Sequence, residues 1–298
     1  MDASRVAVAL MRPSWCTTAD VLEQVGLLAH RAADVGARLL VLSGGLGWWP
    51  VGYTLGLSEG AADPYPALAR AASDAASPGE PWGDVGSRLL SGLVGTAAQR
   101  RLGLVAGGIP LPTEGGLGDA CVVLSPQGAL AGLQWQTHLS VAQSRLGLVA
   151  GDAIAPVDLG WCQVGCLPQD DLLFPEVARI LCLQGAQVLV HPGTATADGR
   201  GALMGRLWRD VQGNQVYGLE AGYVGEGNDG AAVLGPCELT ADGSGVLACV
   251  GGPEPAIAVA DLPWERWRQV VADYPIHAYR NSALYQRYFP ALYEDSRR

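Results

Sequence analysis

The chain contains no lysine, so arginine supplies all 19 of its basic side chains, against 29 acidic ones. The net charge is -10 and the sequence pI is about 4.8. The arginines are scattered rather than clustered, so there is no basic patch of the kind that nucleic acid or an anionic membrane surface would bind. We expect neither partner.

Long apolar runs are also missing. The 41 glycines and 19 prolines interrupt the hydrophobic stretches, and none approaches the roughly 20 residues of a membrane span. Residues 6–11 are too few for a secretory signal and predict a first strand. The seven cysteines include no C-x-x-C pair and indicate neither a disulfide framework nor a zinc site. We therefore predict a cytoplasmic protein without a metal or cofactor.

What the sequence does have is a globular composition, with 49% hydrophobic and 16% charged residues in a length of 298. Short strand patterns alternate with amphipathic helical patterns, in the order β-α-β-α-α-β-β-β over the first half, and a similar rhythm follows in the second. Two β-rich halves with helices outside predict two sheets packed face to face, each covered by helices.

A sharp strand-to-helix turn lies within residues 164–176, VGCLPQDDLLFPE. The apolar strand ends, two acids follow, and FPE opens a helix that ends in LQGA. This segment resembles the elbow of the nitrilase, or carbon-nitrogen hydrolase, superfamily, which reads roughly G-x-x-x-C-x-D-x-x-F-P-E before a similar helix. Gln169 stands at the position of the family's cysteine nucleophile.

Two further motifs support the resemblance. The letters WQTHL match the family's K-T-H-L strand end, with Gln136 in place of the lysine. The letters GARLLVLSG match its G-A-D-L-V-V-F-P-E pattern, with Gly44 in place of the glutamate base. A further family glutamate, about one turn after K-T-H-L, falls near Gln143 or Ser144.

The resemblance thus implies a glutamate, lysine and cysteine triad with all three members replaced. A shift of a few residues does not supply them, because the chain has no lysine and no acid between Asp34 and Glu59. The nearest thiol is Cys166, and its odd offset along a strand places it on the opposite face from Gln169. A small buried hydrophobe is the favoured interpretation of Cys166, with a relocated nucleophile as the alternative.

The family resemblance implies a four-layer α-β-β-α sandwich in residues 1–262. Residues 263–298 are rich in tryptophan, tyrosine and arginine, which are enriched at interfaces. In the resembling family, C-terminal segments often cross a dimer interface. We expect a homo-oligomer of two or more subunits, and the alternative is that the segment folds back on its own subunit.

The implied pocket contains Gly44, Gln136 and Gln169 at strand ends. The other expected lining residues are Gln143, Asp170, His138, Trp48, Trp49 and Tyr53, with the three aromatic residues on a loop. An amide-rich and aromatic lining suits a small neutral ligand. The alternative is that the pocket has degenerated and the glutamines satisfy one another.

Three functional hypotheses follow. The first is a pseudoenzyme that binds a small molecule or a protein partner, without catalytic residues. The second is an enzyme with rewired, non-thiol chemistry in which Asp170 and His138 act as acid and base. The third is a structural subunit that pairs with a catalytically complete relative.

Overall fold

The structure is a computed structural model that describes residues 3–58, 63–72, 80–193, 206–224 and 230–294. The strands in these segments are β1 Ala3–Met11, β2 Leu39–Val41, β3 Gly103–Thr113, β4 Gly116–Leu124, β5 Leu130–Trp135, β6 Val157–Asp158, β7 Gln163–Cys166, β8 Val188–Pro192, β9 Tyr217–Tyr223, β10 Ala231–Leu234, β11 Val246–Val250 and β12 Ala256–Pro263. The helices are α1 Thr18–Asp34, α2 Trp48–Thr54, α3 Tyr65–Ala72, α4 Glu80–Arg100, α5 Val141–Arg145, α6 Pro175–Leu183, α7 Arg206–Asn214, α8 Trp264–Asp273 and α9 Ser282–Glu294. The predicted helices over residues 65–76 and 203–212 extend in part outside the described residues.

The layers follow the burial pattern of the strands. Alternate residues of β1 enter two different cores: Val6 and Val8 pack between the two halves of the sheet, whereas Ala7 and Ala9 face α1 and α4. A third core lies between β7 to β9 and the helices α6 and α7. This is the predicted α-β-β-α sandwich, in one domain.

The two halves form one continuous sheet rather than two separate ones. The strand order is β5-β4-β3-β2-β1-β9-β8-β7-β6, with β12 paired to β1 and β10 to β9. The halves join where Leu10 pairs with Gly222 and Met11 with Tyr223. The residues that come directly after the carboxyl ends of β2, β5, β7 and β8 lie in one region of the molecule. This region contains the candidate site.

Residues 48–53 form a helix, α2, and not the predicted loop. Pro50 is compatible with this helix because it lies in the first turn, where a backbone N–H has no partner within the helix. Trp48 and Trp49 are fully buried beneath it, whereas Tyr53 is 52% exposed on its outer face. The first two line the candidate site, and Tyr53 lies outside it.

The C-terminal segment divides into two parts. Trp264 of α8 is buried, and its indole donates to the Ser4 hydroxyl at 3.1 Å. Trp267 donates to the carbonyl of Gln215 at 2.7 Å. In α8, therefore, the segment folds back on its own subunit. Helix α9 buries none of its residues and exposes Tyr288 and Phe289, among others.

Among the described residues, no helix is long and apolar enough to cross a membrane.

Candidate functional site

The elbow after β7 holds Gln169 in an unusual backbone conformation. Its φ is +48°, in the left-handed region that costs most side chains about 1–2 kcal/mol. Gln169 then begins a 3-10 helix that leads into α6 at Pro175. Strained residues of this kind are concentrated at functional sites.

The Gln169 side chain is only 4% exposed, yet neither its Nε2 nor its Oε1 has a hydrogen-bond partner among the described residues. Its Nε2 lies 3.1 Å from the place that a Cβ of Gly44 would occupy. A buried amide without a partner destabilises the fold by about 1–3 kcal/mol. The unsatisfied group at this contact is the Gln169 side chain, because the Gly44 backbone donates to the carbonyl of Gly193 and accepts from the Tyr223 hydroxyl.

Gln136 and Gln143 satisfy each other in two directions. Gln136 Nε2 donates to Gln143 Oε1 at 3.0 Å, and Gln143 Nε2 donates to Gln136 Oε1 at 2.6 Å. Gln136 Nε2 also donates to the carbonyl of His138 at 2.6 Å, and Gln143 Oε1 accepts from the amide of Ser140 at 2.8 Å. The expectation of mutually satisfied glutamines thus describes this pair but not Gln169.

Asp171 joins the elbow to the end of β5. Its buried carboxylate accepts from the amides of Thr137, at 3.0 Å, and His138, at 2.8 Å, and from the Thr137 hydroxyl at 2.9 Å. From the sequence, Asp171 matches the structural aspartate of the family's elbow, and we expect it to accept from backbone amides at the start of the following helix. The amides belong instead to the segment that follows Gln136, so this clamp holds Gln136 and Gln169 in the same region.

His138 is positioned as a structural residue. Its ring stacks on Phe174 with 3.6 Å between centroids, and its Nδ1 lies 2.9 Å from the Asp171 carboxylate. The structure gives no hydrogen bond between His138 and Asp170. The contact on which the acid and base hypothesis depends is thus made by Asp171, which already accepts several other hydrogen bonds.

Two carboxyl groups near the site, those of Asp119 and Asp63, were not predicted from the sequence. Asp119 of β4 is 1% exposed, and its carboxyl accepts from the Tyr65 hydroxyl. Burial raises the pKa of Asp119 to about 7, while the Tyr65 hydroxyl and the nearby Trp48 indole act in the opposite direction. Burial likewise raises the pKa of Asp63 to about 6. The available signal was an acid inside an apolar strand, because such residues are almost never buried without a partner.

Asp170 is half-buried beside these groups. Desolvation and then the adjacent Asp171 raise its pKa, and Asp170 in turn raises the pKa of Asp63. Asp170 is therefore one of several acids in this region. Among the described residues, no group of three or more histidine, cysteine, aspartate or glutamate side chains is arranged to hold a metal ion.

Aromatic rings surround the acids. Trp48 packs edge-on against Tyr65 at 5.6 Å between centroids, and Trp49 packs against Tyr223 at 5.9 Å. The Tyr223 hydroxyl donates to the carbonyl of Gly44 at 2.6 Å. This bond places the aromatic wall next to the contact between Gly44 and Gln169.

Cys166 lies on the other side of its strand, in the core between the halves of the sheet. Its thiol contacts that of Cys121, and this contact together with burial holds the pKa of Cys121 well above its ordinary value. Cys166 itself is 1% exposed and is surrounded by the apolar residues of this core. The favoured interpretation of Cys166 as a small buried hydrophobe fits this position.

We expect Asp119→Asn to stabilise the protein in a pH-dependent way. The folded-state pKa of about 7 exceeds the ordinary 3.8, so ionisation of Asp119 opposes folding as pH rises from about 4 to 7. Each pH unit between these values is worth about 1.4 kcal/mol. The asparagine variant should therefore gain up to about 4 kcal/mol of unfolding free energy at about pH 8, and almost nothing near pH 4.

Urea unfolding of both proteins across this pH range measures the gain. Asp84→Asn, at an exposed position on α4, is the matched control and should show no such trend. A gain from Asp119→Asn that is equal at both ends of the range would contradict the assignment.

Comparison with known proteins agrees with this architecture. A family model described as carbon-nitrogen hydrolase matches residues 5–270. Omega-amidase NIT2 of Bos taurus is 28% identical over 194 residues, which cover 61% of this chain and 69% of that protein. The deaminated glutathione amidase of Escherichia coli O157:H7 is 32% identical over 128 residues, which cover 43% of this chain and 47% of the relative.

Among solved structures, a double mutant of the amidase from Nesterenkonia sp. AN1 in complex with acrylamide superposes with a TM-score of 0.72. That alignment covers 97% of this chain and 98% of the amidase. Because the identity is 21%, the similarity shows a shared fold and nothing more. The family model covers most of the chain. The protein described here therefore belongs to the carbon-nitrogen hydrolase family.

Proposed function

We propose that this protein binds a small polar molecule at the site formed by Gly44 and Gln169 and does not hydrolyse carbon-nitrogen bonds by a thiol mechanism. The observation that carries the proposal is the Gln169 amide, which is buried and has no hydrogen-bond partner among the described residues. A ligand that forms a hydrogen bond with this amide would offset part of the cost of burying it.

The residues at the three positions support the absence of the family's chemistry. Covalent acyl transfer needs a nucleophile, a group that takes and returns a proton, and a charge that stabilises the transition state. Gln169 offers no nucleophile, Gly44 no base and Gln136 no charge. Gln136 is in addition occupied by Gln143. The amidases to which the chain is similar act as enzymes, so the proposal sets this protein apart from them.

The exposed face of α9 favours an additional role in assembly. Tyr285, Tyr288, Phe289 and Leu292 are each between 41% and 66% exposed. We propose that α9, rather than the whole C-terminal segment, lies at a homo-oligomer interface, since α8 is already packed on its own subunit. A complex with an active relative would use the same face.

We expect the purified protein to show no turnover of simple amides or nitriles. In a serine protease triad, loss of the nucleophile alone costs about a million-fold in turnover. Ammonia release from acetamide and propionitrile, followed over hours, measures this. Cys166→Ser should leave the result unchanged. Turnover that this substitution abolishes would refute the proposal and identify Cys166 as a relocated nucleophile. Native mass spectrometry of the protein from its source cell tests the binding role directly.

A further inference from the structure

In the part of the chain that the structure describes, no cationic side chain pairs with the acids around the site. Asp63, Asp119 and Asp170 come from three separate segments, and among the described residues none of them forms a salt bridge. The charged groups that affect the pKa values of these three acids are themselves acids. Asp170 raises the pKa of Asp63, and Asp171 raises the pKa values of Asp119 and Asp170. Buried charges in proteins are normally paired, so this arrangement needs an explanation.

Gln169 supplies a second and independent observation in the same place. Its amide is 4% exposed and without a hydrogen-bond partner, and it abuts Gly44. The carbonyl of Gly44 accepts from Tyr223, whose pKa is raised by burial and then by Asp63 and Asp119. Tyr223 thus contacts Gly44, which abuts the Gln169 amide, and is close enough to Asp63 and Asp119 for their charges to affect it.

The aromatic rings complete the chemistry of the site. A Cβ on Gly45 would lie 3.5 Å from Trp49 Nε1 and 3.6 Å from the Tyr223 hydroxyl. Trp48 and Tyr65 pack beside Asp119. Aromatic faces attract cations, and the attraction strengthens where water is excluded. Carboxylates, an amide oxygen and aromatic faces all favour a positively charged ligand with N–H donors.

We infer that the ligand of this site is a small organic cation whose charge is carried on N–H groups, such as an amidinium or a guanidinium. This inference rests on the proposed function, because it specifies the ligand of the same site. The N–H groups of this cation would donate to the carboxylates of Asp119 and Asp63 and to the side-chain oxygen Oε1 of Gln169. The amide-rich and aromatic lining expected from the sequence favoured a neutral ligand, because that lining did not include Asp63 or Asp119.

Isosteric pairs of probes separate charge from shape. Acetamidinium and acetamide differ little except in charge, as do guanidinium and urea. Calorimetric titration of the full chain at about pH 8, where Asp119 with its pKa of about 7 is largely ionised, should give at least about tenfold tighter binding for each cation. Asp119→Asn keeps the shape and the acceptor for Tyr65, and it should weaken cation binding by about tenfold or more. Asp84→Asn should leave it unchanged.

The affinity for acetamidinium should also rise with pH between about 6 and 8, because the ionised carboxyl binds the cation better. The titratable groups that face Asp119 are Tyr65, Asp171, Tyr223 and Cys121, and the contact with Cys166 together with burial keeps the pKa of the Cys121 thiol well above its ordinary value. Both tyrosines have pKa values held well above 10, so they stay neutral across this range. Gln169→Leu should reduce affinity for both members of a pair, since it removes the amide and not the charge.

Three results would overturn the inference. They are equal binding of the cation and its neutral isostere, cation binding that Asp119→Asn leaves intact in a variant whose unfolding remains cooperative, and no binding of either probe at millimolar concentration. Equal binding that Gln169→Leu weakens would leave the proposed function standing. Hydrolysis of acetamide during the titration would instead contradict the proposed function. If acetamidinium still bound more tightly than acetamide in that case, the inference of a positively charged ligand would remain supported.

Discussion

Replacing Gly86 by alanine is expected to lower the free energy of unfolding by about 3 kcal/mol or more. Gly86 lies in α4 where the helix crosses β3, and a Cβ at this position would overlap the backbone carbonyl oxygen of Pro110. A backbone atom cannot move aside as a side chain does, so the helix must shift from the sheet. Denaturant unfolding of both proteins measures the loss.

The same helix offers a matched control in Gly95, where a Cβ would meet nothing within 4 Å. Gly95→Ala should raise the free energy of unfolding by up to about 1 kcal/mol, because alanine favours the helix over glycine. The two substitutions are chemically identical and should have opposite signs. Equal effects at the two positions would show that α4 does not approach Pro110 as described.

Restoring all three family residues is expected to fail. Gly44→Glu, Gln136→Lys and Gln169→Cys together should give no measurable hydrolysis of acetamide. A Cβ on residue 44 would lie 2.6 Å from the Pro192 carbonyl oxygen and 3.3 Å from that of Gly193. A glutamate there cannot take up a base's position without movement of β8, and a new thiol without a base is not activated. The Gln136→Lys change would also break the exchange of hydrogen bonds with Gln143.

Two controls separate these causes. Gly44→Ala alone should lower the free energy of unfolding by about 2 kcal/mol, through overpacking against Pro192. Gln136→Lys with Gln169→Cys, leaving Gly44 intact, should fold better than the triple variant and should likewise be inactive, because it has no base. Saturable amide hydrolysis by the triple variant would show that the backbone around Gly44 adapts, and it would refute the steric argument.

The parts of the fold that local patterns control could be predicted from the sequence. The elbow at Gln169 followed from a strand, two acids and the FPE letters. Helix α1 followed from an apolar face and a capping threonine, either Thr17 or Thr18, and in the structure Thr17 is the cap. Residues 48–53, which include Pro50, were predicted as a loop. The structure places that proline in the first turn, where it is tolerated.

Long-range contacts account for most of what was missed. Asp119 and Tyr65 are 54 positions apart, and nothing local to either residue indicates that they meet. The same holds for Tyr223 and Gly44, separated by 179 positions. The pocket expected from the sequence therefore contained the amides and aromatic residues but not Asp63 or Asp119, and such an amide-rich and aromatic lining predicts a neutral ligand.

The close approach of Gly44 to Pro192 has a consequence for the history of such a site. Once residue 44 is glycine, neighbouring backbone can close into the space that a side chain would fill. Any later substitution at residue 44 then places its Cβ against the carbonyl oxygens of Pro192 and Gly193. We therefore expect replacement of this glycine to require movement of β8, whereas a change to glycine requires none.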